Sequence, residues 1–221
     1  MKDNMTTLDD CQQVALEATA SLPDGEPLDL QAAAMVQLGV ATSVTSLDTD
    51  AINDAIKGAF EAGASVAQVQ EVIALVSGLG VHSLMVSAAR VLEQAAGRGL
   101  VDRNLPLDAE REALWRAHVG DDPFWVGFER EVPGFLDAML RLSPDIFQAF
   151  FAYCAVPWKS GAVRPLVKEL VGIASDATPT HRFLPGFRLH LRNAIKLGAG
   201  RKAILQTVAM AAAAPKHRGV S

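Results

Sequence analysis

The sequence has few of the residues that mark β-structure, disulfide bonds or metal sites. It contains a single tyrosine, and no stretch alternates β-branched with polar residues, so we expect no β-sheet. Its two cysteines, Cys11 and Cys154, lie far apart and form no Cys-x-x-Cys pair. We therefore expect two reduced thiols in a cytoplasmic protein. A Ser-His-Asp order, a glycine-rich phosphate loop and a His/Cys metal cluster are all missing, and the sequence predicts neither a metal nor an organic cofactor.

Long apolar and basic runs are also scarce. The first ten residues are acidic and have no apolar core, so no signal peptide is expected. No apolar run approaches the roughly 20 residues that span a bilayer, and the longest candidate, Ala203 to Ala214, contains Gln206 and Thr207. The net charge of −5 and the lack of a basic run with interleaved aromatics argue against nucleic acid. Neither a membrane nor a nucleic acid is an expected partner.

What the sequence does contain is a strong charge asymmetry. Residues 1–158 carry 9 Lys and Arg against 23 Asp and Glu, whereas residues 159–221 carry 11 against 2. The two parts should attract each other, within one chain or between subunits. A basic C-terminal part could also attract a small anionic molecule.

Apolar spacing predicts helices, and the helices repeat. Positions 52, 55, 56, 59 and 62 have helical spacing, Gly63 suits the turn after a helix, and Ser65 with Gln68 is typical of a capping box. A shift of 135 residues places Gly63 on Gly198 and Ala55 on His190. The helical segments near residues 32 and 166 also correspond, with a slight slip of register. This repeat predicts an all-α fold of two pseudo-symmetric units.

The repeat suggests a division of the chain into three parts. Residues 1–98 form an N-terminal repeat with a leading helix, and residues 136–221 form a C-terminal repeat. Residues 99–135 contain several turn signals around one short helix at about 108–118 and are expected to be an irregular connector.

Two segments of the C-terminal repeat carry a family resemblance. Lys168-Glu-Leu-Val-Gly-Ile-Ala followed by His190-Leu-Arg-Asn-Ala-Ile-Lys-Leu-Gly-Ala resembles the core motif of the carboxymuconolactone decarboxylase and AhpD-like superfamily. The N-terminal repeat, from Ala59 to His82, is similar to the second half of that motif. The basic Gly200-Arg-Lys departs from the family, which has a Glu-rich turn there.

The resemblance implies an AhpD-like helical fold and homo-oligomers, usually trimers or hexamers. It also implies lactone decarboxylases without a cofactor, or thiol peroxidases. The peroxidase branch needs Cys-x-x-Cys just before the histidine, because one thiolate attacks the peroxide and the other resolves it. Those cysteines would occupy Phe183 and Gly186, so that dithiol chemistry is not expected here.

His190 and Glu169 are the candidate catalytic residues. His190 is the polar exception on a stripe that is wholly apolar in the first repeat, and imidazole transfers protons in either direction near neutrality. Glu169 matches the acidic position that the resemblance implies as the partner of this histidine. The alternatives are a core histidine that hydrogen-bonds a backbone carbonyl, and a solvated glutamate on a helix face.

His181 and Arg188 are candidate substrate contacts. His181 lies in the loop that replaces the Cys-x-x-Cys segment, and such loops often line sites. Arg188 could reach a carboxylate, although it belongs to a basic stripe with Arg192 and Lys196 that faces away from His190. An exposed loop histidine and an exposed or intersubunit basic face are the alternative interpretations.

Three functions remain open on this evidence. The first is a cofactor-free lyase, decarboxylase or lactone-processing enzyme that acts on a small organic acid or lactone through His190. The second is an idle, oligomeric binding or scaffold member of the family. The third is peroxidase activity through Cys154, whose apolar surroundings should raise its pKa and weaken it as a nucleophile.

Overall fold

The computed structural model describes residues 6–217, and every regular element in this range is helical. The all-α fold expected from the sequence is confirmed. The first five residues, on which part of the signal-peptide expectation rests, lie outside the described range. The α-helices are α1 Leu8–Ala18, α2 Leu30–Thr42, α3 Thr49–Glu61, α4 Val66–Ser77, α5 His82–Gly97, α6 Ala109–His118, α7 Pro123–Glu131, α8 Phe135–Leu142, α9 Pro144–Cys154, α10 Val156–Lys159, α11 Pro165–Asp176, α12 Leu184–Lys196 and α13 Arg201–Ala212, with a 3-10 turn at Gly78–Val81.

The chain folds into two compact units whose boundaries differ from the expected ones. The first unit combines the chain up to Leu79 with the chain from Pro157 onward, and the second unit comprises Gly80–Val156. The expected boundaries at residues 98 and 135 are not found, because the chain leaves the first unit directly after α4. The supposed irregular connector, residues 99–135, contains the helices α6 and α7.

Within the first unit, three consecutive helices recur at a constant offset. Helices α2, α3 and α4 begin at residues 30, 49 and 66, and α11, α12 and α13 begin 135 residues later at 165, 184 and 201. The offset holds for all three pairs, so the slip of register expected near α2 and α11 is absent. Gly63 and Gly198 end equivalent helices with φ of 82° and 90°, the left-handed region that favours glycine. The predicted capping box of Ser65 and Gln68 is present.

The packing of these helices follows the same offset. Helix α2 packs against α3, α4, α11 and α13, and α11 packs against α12, α13, α2 and α4. Glycine at position 39 allows the close approach of the two central helices, since a Cβ there would lie 2.7 Å from Cγ1 of Val171. Each contact of α2 has its shifted equivalent on α11. Two copies related by a twofold axis would give this pattern, and a duplication stays our prediction for its origin.

Ion pairs within the first unit join its acidic and basic segments. Lys168 Nζ lies 2.5 Å from Glu71 Oε1, and Arg164 Nη2 lies 2.5 Å from Asp29 Oδ2. The first pair is buried, with side chains 3% and 4% exposed, while the second is exposed. The charge asymmetry of the sequence therefore serves contacts inside one chain.

The second unit, taken by itself, has an aromatic core on helices α6 to α9. Phe147 stacks on Trp115, and Trp125 packs edge-on against Phe151. Phe128 and Phe135 extend the cluster and are buried. Of the residues that the sequence nominates for chemistry, Cys154 lies in this unit, and Glu169, His181, Arg188 and His190 lie in the first.

One helical run in the described chain is long and apolar enough to cross a membrane by length and composition alone. It extends over Val66–Gly97 through the 3-10 turn, and only 22% of its most apolar window is buried. This differs from the expectation that no apolar run approaches membrane length, because Val72 to Ala89 contains no charged residue. Apolar helices in protein interfaces have the same composition, so this run does not by itself indicate a membrane.

Candidate active site

The candidate site is built on α11, a helix buried on all sides. Every residue from Val167 to Asp176 is buried, and Pro165 starts the helix at the position where a missing N–H is tolerated. Glu169 and Asp176 are seven residues apart, which is close to two turns, so both carboxylates project from the same side. Buried carboxylates need partners. Both find one in the same histidine.

His190 on α12 faces Glu169 with its Nδ1 atom. The distance from His190 Nδ1 to Glu169 Oε2 is 2.7 Å, and Asn193 donates from Nδ2 to the other carboxylate oxygen at 3.3 Å. Because an ionised carboxylate only accepts, Nδ1 carries a proton and Nε2 is left as the reactive nitrogen. Asn193 follows His190 by three residues, so one helix face supplies both groups that orient Glu169.

The second carboxylate lies between two imidazoles. Asp176 Oδ2 is 3.9 Å from Nε2 of His190, and Asp176 Oδ1 is 3.7 Å from Nε2 of His181. The side chain of Asp176 is 2% exposed, whereas those of His181 and His190 are 14% and 18% exposed. Four titratable groups thus follow one another, from Glu169 through His190 and Asp176 to His181.

Two glycines provide the space for these groups. A Cβ at position 172 would lie 2.7 Å from the His190 ring, and a Cβ at position 186 would lie 2.2 Å from Oδ2 of Asp176. Real Cβ atoms do not approach so closely, so any other residue at either position would displace the imidazole or the carboxylate. Gly172 and Gly186 are therefore part of the site although they carry no functional group.

Trp158 covers the histidine. Its ring stacks on that of His190 with centroids 5.7 Å apart and an angle of 8° between the planes. Lys168 holds the segment that carries Trp158, because its Nζ donates to the carbonyls of Pro157 and Ser160 at 2.6 and 2.5 Å. Glu71 accepts from the Ser160 hydroxyl and the Ala162 N–H. The buried Lys168–Glu71 pair therefore positions the indole over the imidazole.

The environment changes the pKa values of these groups in opposite directions. Burial lowers the pKa of His190, but the hydrogen bond and charge of Glu169 and the charge of Asp176 outweigh burial and raise it. Burial raises the pKa of Asp176 to about 7, against the lowering effect of His190. Burial lowers the pKa of His181. The site thus holds groups that exchange protons near neutral pH.

The loop between α11 and α12 holds His181 in place. Thr180 donates its hydroxyl to the carbonyl of Thr45 at 2.7 Å, and the Phe183 N–H donates to the carbonyl of Asp176 at 2.9 Å. Arg182 has a φ of 48°, an unusual value for a residue with a Cβ. Leu47, the equivalent residue of the first half, has a φ of 27°, so this backbone conformation belongs to the repeated frame and not to the site alone.

The four site residues predicted from the sequence do not all lie together. Glu169 and His190 are in contact, and His181 joins them through Asp176. Arg188 is exposed and precedes His190 by two residues, a rotation of about 200°, so the two side chains leave α12 on opposite sides. The catalytic and substrate-binding roles of all four remain predictions.

Asp176 is the site residue that sequence reasoning missed. A signal was present, since Glu169 and Asp176 are the only acidic residues after position 158 and lie two helical turns apart. Trp158 gave no such signal, because its neighbourhood on the chain says nothing about α12. The stack on His190 arises only from the fold.

The thiols lie in surroundings unfavourable for peroxide chemistry. Burial and the charges of Asp10 and Asp176 raise the pKa of Cys11 to about 11, although Arg182 and Arg188 oppose this. Burial also raises the pKa of Cys154. A raised pKa leaves little thiolate, which is the reactive form.

The fold and the histidine site together define a class, the all-α proteins of AhpD-like architecture. A crystal structure from Burkholderia xenovorans LB400, provisionally assigned as a gamma-carboxymuconolactone decarboxylase subunit, is similar to this chain. The TM-score is 0.71 at 28% identity, and the match covers 90% of this chain and 77% of that one. No protein-family model and no curated protein matches the chain. This similarity supports the resemblance to the carboxymuconolactone decarboxylase and AhpD-like superfamily that the sequence motif indicates.

Proposed function

We propose that this protein is a cofactor-free lyase or lactone-processing enzyme that acts on a small organic acid or lactone. His190 is its general acid and base. The observation that carries the proposal is the histidine itself, with Nδ1 bound to Glu169 at 2.7 Å and a side chain that is 18% exposed. An imidazole fixed on one nitrogen and reachable on its ring is arranged for proton transfer from the other.

The chemistry requires such a proton donor. When a carboxylate leaves as CO2, the electron pair of the broken C–C bond stays on the substrate and is delocalised into a neighbouring carbonyl. A proton from Nε2–H of His190 then quenches this charge on carbon. Opening or isomerisation of a lactone needs a proton at the same place.

Glu169 acts in this proposal as a positioning residue. Its carboxylate fixes the Nδ1–H tautomer and stabilises the imidazolium that forms when Nε2 takes up a proton. Asn193 holds the same carboxylate from its other oxygen. Of the two expected substrate contacts, we retain His181 in the site. Arg188, on the opposite side of α12, is the weaker candidate.

Turnover by the intact protein, followed by mass detection of released CO2 across small carboxylates and lactones, tests the proposal. His190→Ala should lower turnover at least ~100-fold, the low end for loss of a general acid or base. His217→Ala, which removes an exposed histidine of the same unit, should leave turnover unchanged. Unchanged turnover in His190→Ala would refute the assignment.

An idle scaffold is the second candidate, and one observation favours it. In the first half of the repeat the positions equivalent to Glu169, Asp176 and His190 are Ala34, Ala41 and Ala55, so the fold stands without any of these groups. A protein that turns over no carboxylate, lactone or peroxide would support this candidate. A Cys154→Ser variant in a peroxide assay separates the third, thiol-based function.

We also propose that the protein self-associates, as the family resemblance implies for trimers or hexamers. Helix α5 supports this, because Leu84, Val86 and Val91 are large apolar side chains that are 38%, 45% and 52% exposed. Light scattering on the purified protein measures the assembly. A Val91→Glu variant should shift it toward smaller species, and a monomer in the unmodified protein would contradict the proposal.

A further inference from the structure

We propose that Asp176 takes up a proton from His181 and passes it to Nε2 of His190, so that these side chains form a relay. The relay reloads the general acid after each turnover. This inference rests on the proposed role of His190. It goes beyond that role, because it assigns a function to Asp176 and a new one to His181.

The geometry places one carboxylate oxygen toward each imidazole. Oδ2 of Asp176 lies 3.9 Å from Nε2 of His190, and Oδ1 lies 3.7 Å from Nε2 of His181. Both gaps exceed the 2.7–3.2 Å of a formed N–H···O bond, so the carboxylate must shift by about 1 Å or act through a water. Because a different oxygen faces each ring, Asp176 can receive a proton on one side and release one on the other, as a relay requires.

Gly186 leaves the space that the Asp176 carboxylate occupies. A Cβ there would lie 2.2 Å from Oδ2 of Asp176 and 2.9 Å from the ring of Phe183. The side chain of a cysteine at 186 and this position of the carboxylate exclude each other. The chain thus presents a carboxylate, and not a thiol, to Nε2 of His190.

Burial separates the carboxylate from the two imidazoles. Asp176 is 2% exposed, whereas His181 and His190 are 14% and 18% exposed. His181 is held by the turn in which its N–H and that of Arg182 both bond to the carbonyl of Thr178. Water can therefore exchange protons with His181, and with His190 when its exposed side is free of substrate, while Asp176 stays shielded.

The proton transfers balance with water as the only outside source of protons. His190 gives its Nε2 proton to the substrate carbon, protonated Asp176 gives its proton to Nε2, and His181 restores the proton on Asp176 from water. Burial supports the sequence, because it raises the pKa of Asp176 to about 7 and lowers that of His181. Protons then move from the weaker base toward the stronger. Within the first unit the titratable groups that face Asp176 are His190, His181 and the thiol of Cys11.

Titration of the histidine rings by 15N NMR tests the relay independently of any substrate. Asp176→Asn keeps the shape of the side chain and removes its charge and its transferable proton, and it should lower the pKa of His190 and change the titration of His181. Asp48→Asn, a buried helix cap that stays a good cap, should change neither. Unaltered titration of both rings in Asp176→Asn would overturn the relay.

Buffer dependence of turnover gives the second measurement. In Asp176→Asn and His181→Gln, turnover at low buffer concentration should fall at least ~10-fold and recover as imidazole buffer is added, because the buffer replaces the lost donor. A structural defect would not respond to buffer, and that result would overturn the inference. If the unmodified protein turns over no substrate, the proposed function fails and the ring titration alone decides on the relay.

Discussion

The two halves of the first unit share a helical frame and differ in what it carries. Helices α2 to α4 and α11 to α13 begin at positions separated by 135 residues, and the central helices have matching neighbours. At the four positions where the second half has Glu169, Asp176, His181 and His190, the first half has Ala34, Ala41, Ser46 and Ala55. The frame therefore does not depend on the titratable groups, and the groups are additions to it.

The halves also satisfy one equivalent backbone N–H in different ways. In the first half, Leu28 donates to the neutral amide of Gln206 at 3.0 Å. In the second, Val163 donates to the Glu71 carboxylate, which is held by Lys168. Glu71 and Gln206 are equivalent positions, as are Leu28 and Val163. The charged acceptor, Glu71, is paired with Lys168, which also holds the segment that carries Trp158.

The largest expected effect comes from breaking the buried ion pair. Lys168→Ala should lower the free energy of unfolding by about 3–5 kcal/mol, because it leaves the Glu71 carboxylate buried and unpaired. Adding Glu71→Gln recreates the neutral arrangement of the first half, with Ala33 and Gln206, and should recover most of this loss. Urea denaturation measures both variants. A double variant as unstable as the single one would show that the two arrangements are not interchangeable.

The close approach at Gly172 gives the next effect. Gly172→Ala places a Cβ against the His190 ring and should lower the free energy of unfolding by about 1–3 kcal/mol, the usual cost of overpacking. The ring must move, so the Nδ1 resonance bonded to Glu169 should shift as well. Gln37→Ala, at the equivalent exposed position of α2, should be neutral or slightly stabilising. Equal effects at the two positions would contradict the site geometry.

Asp176 should make stability depend on pH in a direction unusual for an aspartate. Burial raises its folded pKa to about 7, so between pH 4 and 7 the folded protein holds a proton that the unfolded chain has released. This contribution favours folding at low pH and is lost as pH rises through 7. Asp176→Asn has no such proton. The difference between its unfolding midpoint and that of the unmodified protein should therefore increase as the pH rises from 4 to 8. Parallel curves would disprove the raised pKa.

The smallest effect concerns an exposed pair at equivalent positions of the two halves. Asp29 and Arg164 each precede a central helix and pair with each other, but only Asp29 also caps its helix, at Ala32 N–H. Arg164→Ala should cost at most ~1 kcal/mol of unfolding free energy, as exposed pairs do. Asp29→Ala should cost more, about 0.5–2 kcal/mol, because a cap is lost too. Equal losses in thermal denaturation would argue against the cap.

Much of the fold could be predicted because its signals are local. Apolar spacing, the Ser65–Gln68 capping box and the glycine after α3 depend on neighbouring residues, and they predicted the repeated helices. The boundaries between the two units have no local signal in the sequence. Nothing near Leu79 or Pro157 signals that the chain leaves one core and returns, because that choice depends on which helices pack together. The expected three-part division failed for this reason.

The sequence by itself predicted the helical class and a family resemblance, and through that resemblance it suggested the pairing of Glu169 with His190. Only the tertiary structure brought Asp176 between His190 and His181, laid Trp158 over the imidazole and set Arg188 on the opposite side. These relations join residues from different elements at distances of a few ångströms. Spacing along the chain cannot encode them, because they follow from how buried helices approach where Gly172 and Gly186 leave room.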